Sequence, residues 1–159
     1  MATPNKAVSL NGTTDYAAID LTSCSPASDE DYALELWFKG NKPEAGKQAT
    51  LFSTHVDGVM AAFNAQGQLQ LSQNDQMLAT GTADCLDNQW HHFALNVLHN
   101  GTAAVYVDGN NVAQFTPSAP LRLQSDSLML GVMRRAQTAG AADFVYSNYF
   151  NGQLDELRL

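Results

Sequence analysis

The chain has 159 residues and is 45% hydrophobic, which suits one globular domain with its own core and excludes a disordered chain. Charged residues make up only 15%, and sixteen acids against eight bases give a net charge of −8. No basic stripe exists to bind nucleic acid or an anionic membrane surface, and no apolar run approaches the roughly 18 residues of a membrane span.

The pattern along the chain is one of short alternating runs divided by turn residues, with no helical periodicity. The run ending at Leu10 stops at the turn dipeptide Asn11-Gly12. In Tyr32-Ala33-Leu34-Glu35-Leu36-Trp37-Phe38, the residues Leu34, Leu36 and Phe38 share one face. Residues 39–48 (KGNKPEAGKQ) are polar with Gly and Pro and predict an exposed loop. After Asp57-Gly58 comes Gln68-Leu69-Gln70-Leu71-Ser72, with both leucines directed inward. Residues 84–89 predict a short turn or helical loop before the next strand. Phe93, Leu95 and Val97 then alternate with His92, Ala94 and Asn96, and beyond Asn100-Gly101 the residues Ala103, Val105 and Val107 form one face. Asp108-Gly109 predicts a further hairpin, because Asp and Gly tolerate the positive φ that tight turns require. Residues 134–148 (RRAQTAGAADFVYSN) predict a long loop, and Asn151-Gly152 a last turn before the final strand. About a dozen strands result, with turns too closely spaced for crossover helices.

Cys24 and Cys85 are the chain's two cysteines. A bridge between them would close a loop of about 61 residues and contribute about 4 kcal/mol by chain entropy. Two unpaired thiols fit the spacing equally well. The N-terminus, Met1-Ala2-Thr3-Pro4-Asn5-Lys6, lacks the apolar core of a signal peptide. Residues 1–159 are expected to be a single domain excised from a larger exported protein.

Four phrases, in order, carry a family resemblance. They are Ala7-Val8-Ser9-Leu10-Asn11-Gly12 with Asp15-Tyr16; Leu34-Glu35-Leu36-Trp37-Phe38-Lys39; Gln89-Trp90-His91-His92-Phe93-Ala94-Leu95 leading to Val105-Tyr106-Val107-Asp108-Gly109; and Phe150-Asn151-Gly152-Gln153-Leu154-Asp155-Glu156-Leu157-Arg158. Together they resemble the laminin-G-like, concanavalin A-like jelly-roll superfamily. The resemblance implies an all-β fold, a two-sheet antiparallel jelly-roll sandwich of six or seven strands per sheet. It also implies that the C-terminal strand closes the domain beside the first strand. Members include lectins, adhesion modules and appended domains of exported enzymes. The expected function is therefore a non-catalytic binding or adhesion module, secreted or at the cell surface, monomeric as a domain. The expected partner is a carbohydrate or surface glycoprotein, with neither nucleic acid nor membrane insertion involved. A structural spacer without ligand and a divergent glycoside hydrolase are the alternatives.

The same resemblance implies a structural calcium ion, Ca2+, where the first loop meets the last strand. The matching positions are Asn11, Gly12, Asp15 and Asp155, and hard cations do favour such carboxylate and carbonyl oxygens. Without an ion, Asn11 and Asp15 are turn formers and Asp155 bonds to loop amides. Hydrolysis would need two carboxyl groups across one face, and this region offers Glu35 alone. Adjacent strand positions direct His91 and His92 apart, which argues against a metal centre. The expected ligand-binding residues are Arg134, Arg135, Tyr146, Asn148 and Tyr149, because aromatic rings stack on sugars while amides bond the hydroxyls. Trp37 and Trp90 are expected in the core.

Overall fold

The computed structural model describes residues 6–23, 26, 30–54, 58–99, 101–118, 121, 123, 127–136 and 143–159. Fourteen strands follow in chain order: β1 Val8–Asn11, β2 Ala17–Asp20, β3 Tyr32–Gly40, β4 Ala49–Thr54, β5 Val59–Phe63, β6 Leu69–Gln73, β7 Gln76–Thr80, β8 His91–Val97, β9 Ala103–Val107, β10 Asn110–Phe115, β11 Ser127–Leu130, β12 Met133–Ala136, β13 Phe144–Ser147 and β14 Asn151–Arg158. No helix occurs among the described residues.

Two antiparallel six-stranded sheets form a sandwich, ordered β1-β14-β3-β8-β9-β10 and β2-β11-β4-β5-β6-β7. The alternation in the sequence produces the core directly. Leu34, Leu36 and Phe38 of β3 and Phe93 and Leu95 of β8 are fully buried, as are Phe52 and Phe63 of the facing sheet. Aromatic pairs tie the layers together: Phe38 meets Phe63 at 5.0 Å between ring centres and Phe52 meets Phe93 at 5.7 Å. The last strand pairs with both β1 and β3, Val8 opposite Leu154 and Trp37 opposite Asp155, so the chain's ends lie side by side as the family resemblance implies.

Several local expectations change. Within residues 134–148, the described parts are not irregular loop: β12 and β13 pair antiparallel, Arg134 opposite Tyr146 and Arg135 opposite Val145, and residues 137–142 lie outside the described residues. The Ser53 hydroxyl donates to the Val132 carbonyl (2.8 Å) at the entry to this strand pair, tying it to β4. That cover explains why every residue of β4 is buried. Asn151-Gly152 is no turn but lies within β14. Gly40 and Gly152 face each other there, and a Cβ on Gly152 would land on the Lys39 carbonyl. Trp37 and Trp90, expected in the core, are 39% and 40% exposed. Cys85 is a buried free thiol, so it forms no bridge; Cys24 lies outside the described residues.

Candidate functional site

Three chain segments converge at the end of the sandwich where Asn11 pairs with Asn151. The first is the loop after β1. The Asn11 side-chain oxygen accepts the backbone N–H groups of Thr13, Thr14 and Asp15 at 2.9–3.1 Å, and the Thr13 hydroxyl at 3.1 Å. An Asn at this position thus folds the turn on itself. Gly12 has φ +75°, and a side chain there would strike that of Asn151.

The second segment joins β13 to β14. Phe150 is wholly buried, and its N–H donates to the Gly131 carbonyl at 2.9 Å. The Thr50 N–H donates to the Asn148 carbonyl at 2.8 Å. These anchors leave the Asn148 and Tyr149 side chains, both half-buried, along the wall of a groove. The third segment is the loop from β3 to β4. The Asn41 N–H donates to the Asn151 carbonyl at 3.0 Å, and Lys47 pairs with Glu44 at 2.8 Å, which holds the Glu44 carboxyl below its ordinary pKa. Lys42 pairs with Asp84. The resulting groove has a volume of about 440 Å³ and is lined by Asn11, Asn41, Gln48, Asn148, Tyr149 and Asn151 among others.

Beside it stands a stacked aromatic pair. Tyr16 and Tyr146 lie 5.1 Å apart with their planes 13° from parallel. Burial raises the Tyr146 phenol pKa, the neighbouring Tyr16 adds to the rise, and Arg134 partly offsets it. Arg134 is buried under this pair, with its guanidinium 4.6 Å from the centre of the Phe144 ring.

The expected ligand-binding residues therefore divide. Asn148 and Tyr149 line the groove, and Tyr146 joins the stack with Arg134 behind it. Arg135 pairs with Asp75 across a separate 270 Å³ cleft lined by Ser53, Met60 and Ser72. Sequence reasoning missed Tyr16, Asn41 and Gln48, which only the strand register brings to this end.

The four expected calcium ligands are not brought together. Asn11 lies opposite Asn151, so Asp155 is four residues further along β14, about 13 Å away by strand rise. The Asn11 oxygen is already saturated by four donors, and one Asp155 oxygen accepts the Glu156 N–H at 2.8 Å. Asp15 accepts from the Thr14 hydroxyl at 3.3 Å. Asn11, Gly12, Asp15 and Asp155 thus do not fit one ion, and no group of three or more His, Cys, Asp or Glu side chains suited to a metal occurs among the described residues. Glu35 is engaged by His92 at 3.2 Å and by Arg158 at 3.7 Å.

A family model described as the concanavalin A-like lectin/glucanases superfamily matches residues 11–159. The chain belongs to this superfamily. A search of curated proteins finds no match. Among solved structures the superfamily fold recurs in domains LG4-5 of the mouse laminin alpha1 chain, with TM-score 0.66, 14% identity, and 99% of this chain against 44% of that one covered. A Bacteroides ovatus protein named as a "putative carbohydrate binding protein" gives TM-score 0.63 at 16% identity, covering 97% of this chain and 42% of that one. The CBM40 of the Ruminococcus gnavus IT-sialidase gives 0.65 at 14%, covering 96% and 88%. The chain thus spans less than half of the laminin and Bacteroides chains. At these identities the likeness is one of fold.

Proposed function

We propose that this domain is a non-catalytic carbohydrate-binding module that works outside the cell. The observation that carries the reading is the groove at the Asn11–Asn151 end, which Tyr149 and the amide residues Asn41, Gln48, Asn148 and Asn151 line together. A sugar presents apolar C–H faces and a rim of hydroxyls. An aromatic ring covers the former, while amides, which both donate and accept, satisfy the latter. Concave sites with a few fixed polar groups are where small ligands bind. Lys42 and Lys47 are each neutralised by an acid, so a neutral glycan suits the groove better than an anionic one.

The structural relatives named for carbohydrate binding support this reading, as does the engagement of Glu35 by His92 and Arg158. A glycan array probed with the wild-type chain and with Tyr149→Ala tests it. A consistent set of neutral glycans retained by the first and lost by the second is the expected result. An array with no signal for either protein refutes it.

A further inference from the structure

The loop between β7 and β8 supports one wall of the groove from behind. Cys85 and Leu86 are buried in the core, and the Cys85 N–H donates to the Gly67 carbonyl at 2.9 Å, while Asp87, Asn88 and Gln89 are exposed. Three ties join this loop to the groove wall. Asp87 bridges Asn41, the Asn88 N–H donates to the Gly40 carbonyl at 3.2 Å, and Asp84 pairs with Lys42. Asn41 and Lys42 both line the groove, and the Asn41 N–H continues to the Asn151 carbonyl at 3.0 Å.

The same loop meets His91 on its other side. The Nε2 atom of His91 lies 3.0 Å from an Asp87 oxygen, and Nδ1 lies 2.7 Å from an Asp108 oxygen. An ionised carboxylate only accepts, so both ring nitrogens must donate, and only the imidazolium carries two N–H groups. A neutral ring keeps one. Asp108 takes that proton, because its contact is the shorter and its second oxygen accepts the His92 N–H at 2.8 Å, which fixes it to β8. Asp87 then faces a bare lone pair and lets go, while its oxygen retains the Gln89 N–H at 2.9 Å.

We propose that His91 is a protonation-controlled latch on the groove: the imidazolium holds Asp87, and through it Asn41, in place, and the neutral ring releases them, so that glycan binds more tightly in acid. The inference rests on the reading of the groove as the glycan site. No other titrating group mimics the latch. Asp84, Cys85 and Asp108 share the cleft of His91, and the Phe38 ring of β3 packs on it at 5.6 Å between centres. Asp84 is taken by Lys42, and the Cys85 thiol, pushed up to about 11 by burial, stays protonated at neutral pH. His92 points to the opposite face of β8 and pairs with Glu35, and His99 pairs with Asp31 beyond the far end of that strand. Burial lowers the His91 pKa, yet the bonds to Asp108 and Asp87 outweigh it, so the release falls above pH 6.5.

Nuclear magnetic resonance of the isotope-labelled full chain between pH 5.5 and 8.5 reads the latch without ligand. The backbone amides of Asn41 and Asn88 should titrate with the midpoint of the His91 ring. Cellotriose and chitotriose, titrated by calorimetry at both ends of that range, should bind about fivefold more weakly at pH 8.5, a modest coupling between two sites. Asp87→Asn separates the latch from simple damage. A carboxamide both donates and accepts, so it bonds either form of the ring, and this variant should bind at both pH values as the wild type does in acid. The latch falls if Asn41 and Asn88 do not follow His91, if sugar affinity is equal at the two pH values, or if Asp87→Asn keeps the wild-type pH dependence. Should neither sugar bind at either pH, the reading of the groove as their site falls, and the amide titration still decides whether His91 moves the wall.

Discussion

Gly40 and Phe150 connect the core to the groove, and a substitution at Gly40 tests that connection quantitatively. A Cβ on Gly40 would lie 2.5 Å from the tip of the Phe150 ring and 3.1 Å from the Asn151 carbonyl oxygen. Phe150 is fully buried, with Phe63 at 6.3 Å, so the ring has no space to swing aside. Gly40→Ala is therefore an overpacking change, expected to cost about 1–3 kcal/mol. For a chain of this size that is roughly 2–12 °C in Tm. Phe150→Ala alone should cost about 3–5 kcal/mol through the cavity it leaves. In the double variant the ring that Gly40→Ala strikes is gone, so the two costs should fall short of their sum by about 1 kcal/mol or more. Urea unfolding followed by far-ultraviolet circular dichroism gives all four corners of the cycle. Costs that add within about 0.5 kcal/mol would refute the packing argument.

Three further outcomes follow from the charges and the thiol. Burial pulls the His91 pKa down, but hydrogen bonds to Asp108 (2.7 Å) and Asp87 (3.0 Å) outweigh it, and the net shift is upward from 6.5. Its stabilisation is thus complete below pH 6.5 and is lost as pH rises through the raised folded value. Asp87 and Asp108 are shifted down from 3.8, so their contribution is present above that value and lost as pH falls through the depressed one. Tm should accordingly fall between pH 6 and 8.5, and His91→Gln should flatten that slope; an unchanged slope would remove His91 as its cause. Burial, aided by Asp108, Asp84 and Asp87, pushes the Cys85 thiol up to about 11. It should resist iodoacetamide at pH 8 in the folded chain and react once urea unfolds it, as peptide mass mapping can check; rapid native labelling of Cys85 would contradict its burial. Because Asp155 and Asn11 do not share a site, Asp155→Asn should leave the response of Tm to calcium and EDTA unchanged, and a calcium shift abolished by that substitution would reinstate the ion.

Much of the fold is written in the alternation. Leu34, Leu36 and Phe38 claim the inward face of β3, and the buried positions of β8 and β9 follow the same period of two. That period also fixes Trp37 as outward. Its mid-strand place in a family phrase suggested burial, but a central place in a strand does not decide which face a side chain takes. Other features depend on pairing that no local pattern encodes. The β6–β7 turn uses Asn74 and Asp75, both at positive φ, without the glycine that marks most such turns. Asn151-Gly152 has turn composition, yet its glycine serves close approach to Gly40 inside a sheet. The β12–β13 pair was hidden because Arg134 and Arg135 interrupt its apolar pattern, although one packs on Phe144 and the other reaches Asp75. The groove was half legible: Asn148 and Tyr149 stood out as residue types, while their neighbours Asn41 and Gln48 arrive from about a hundred residues earlier through sheet register.

The measurement that bears most directly on carbohydrate binding is a calorimetric titration of a neutral glycan selected from the array, run in parallel on the wild-type chain and Tyr149→Ala. Saturable binding that Tyr149→Ala weakens about tenfold, with both proteins unfolding at the same temperature, is the predicted result. Equal affinity in the two proteins would contradict the assignment of the groove.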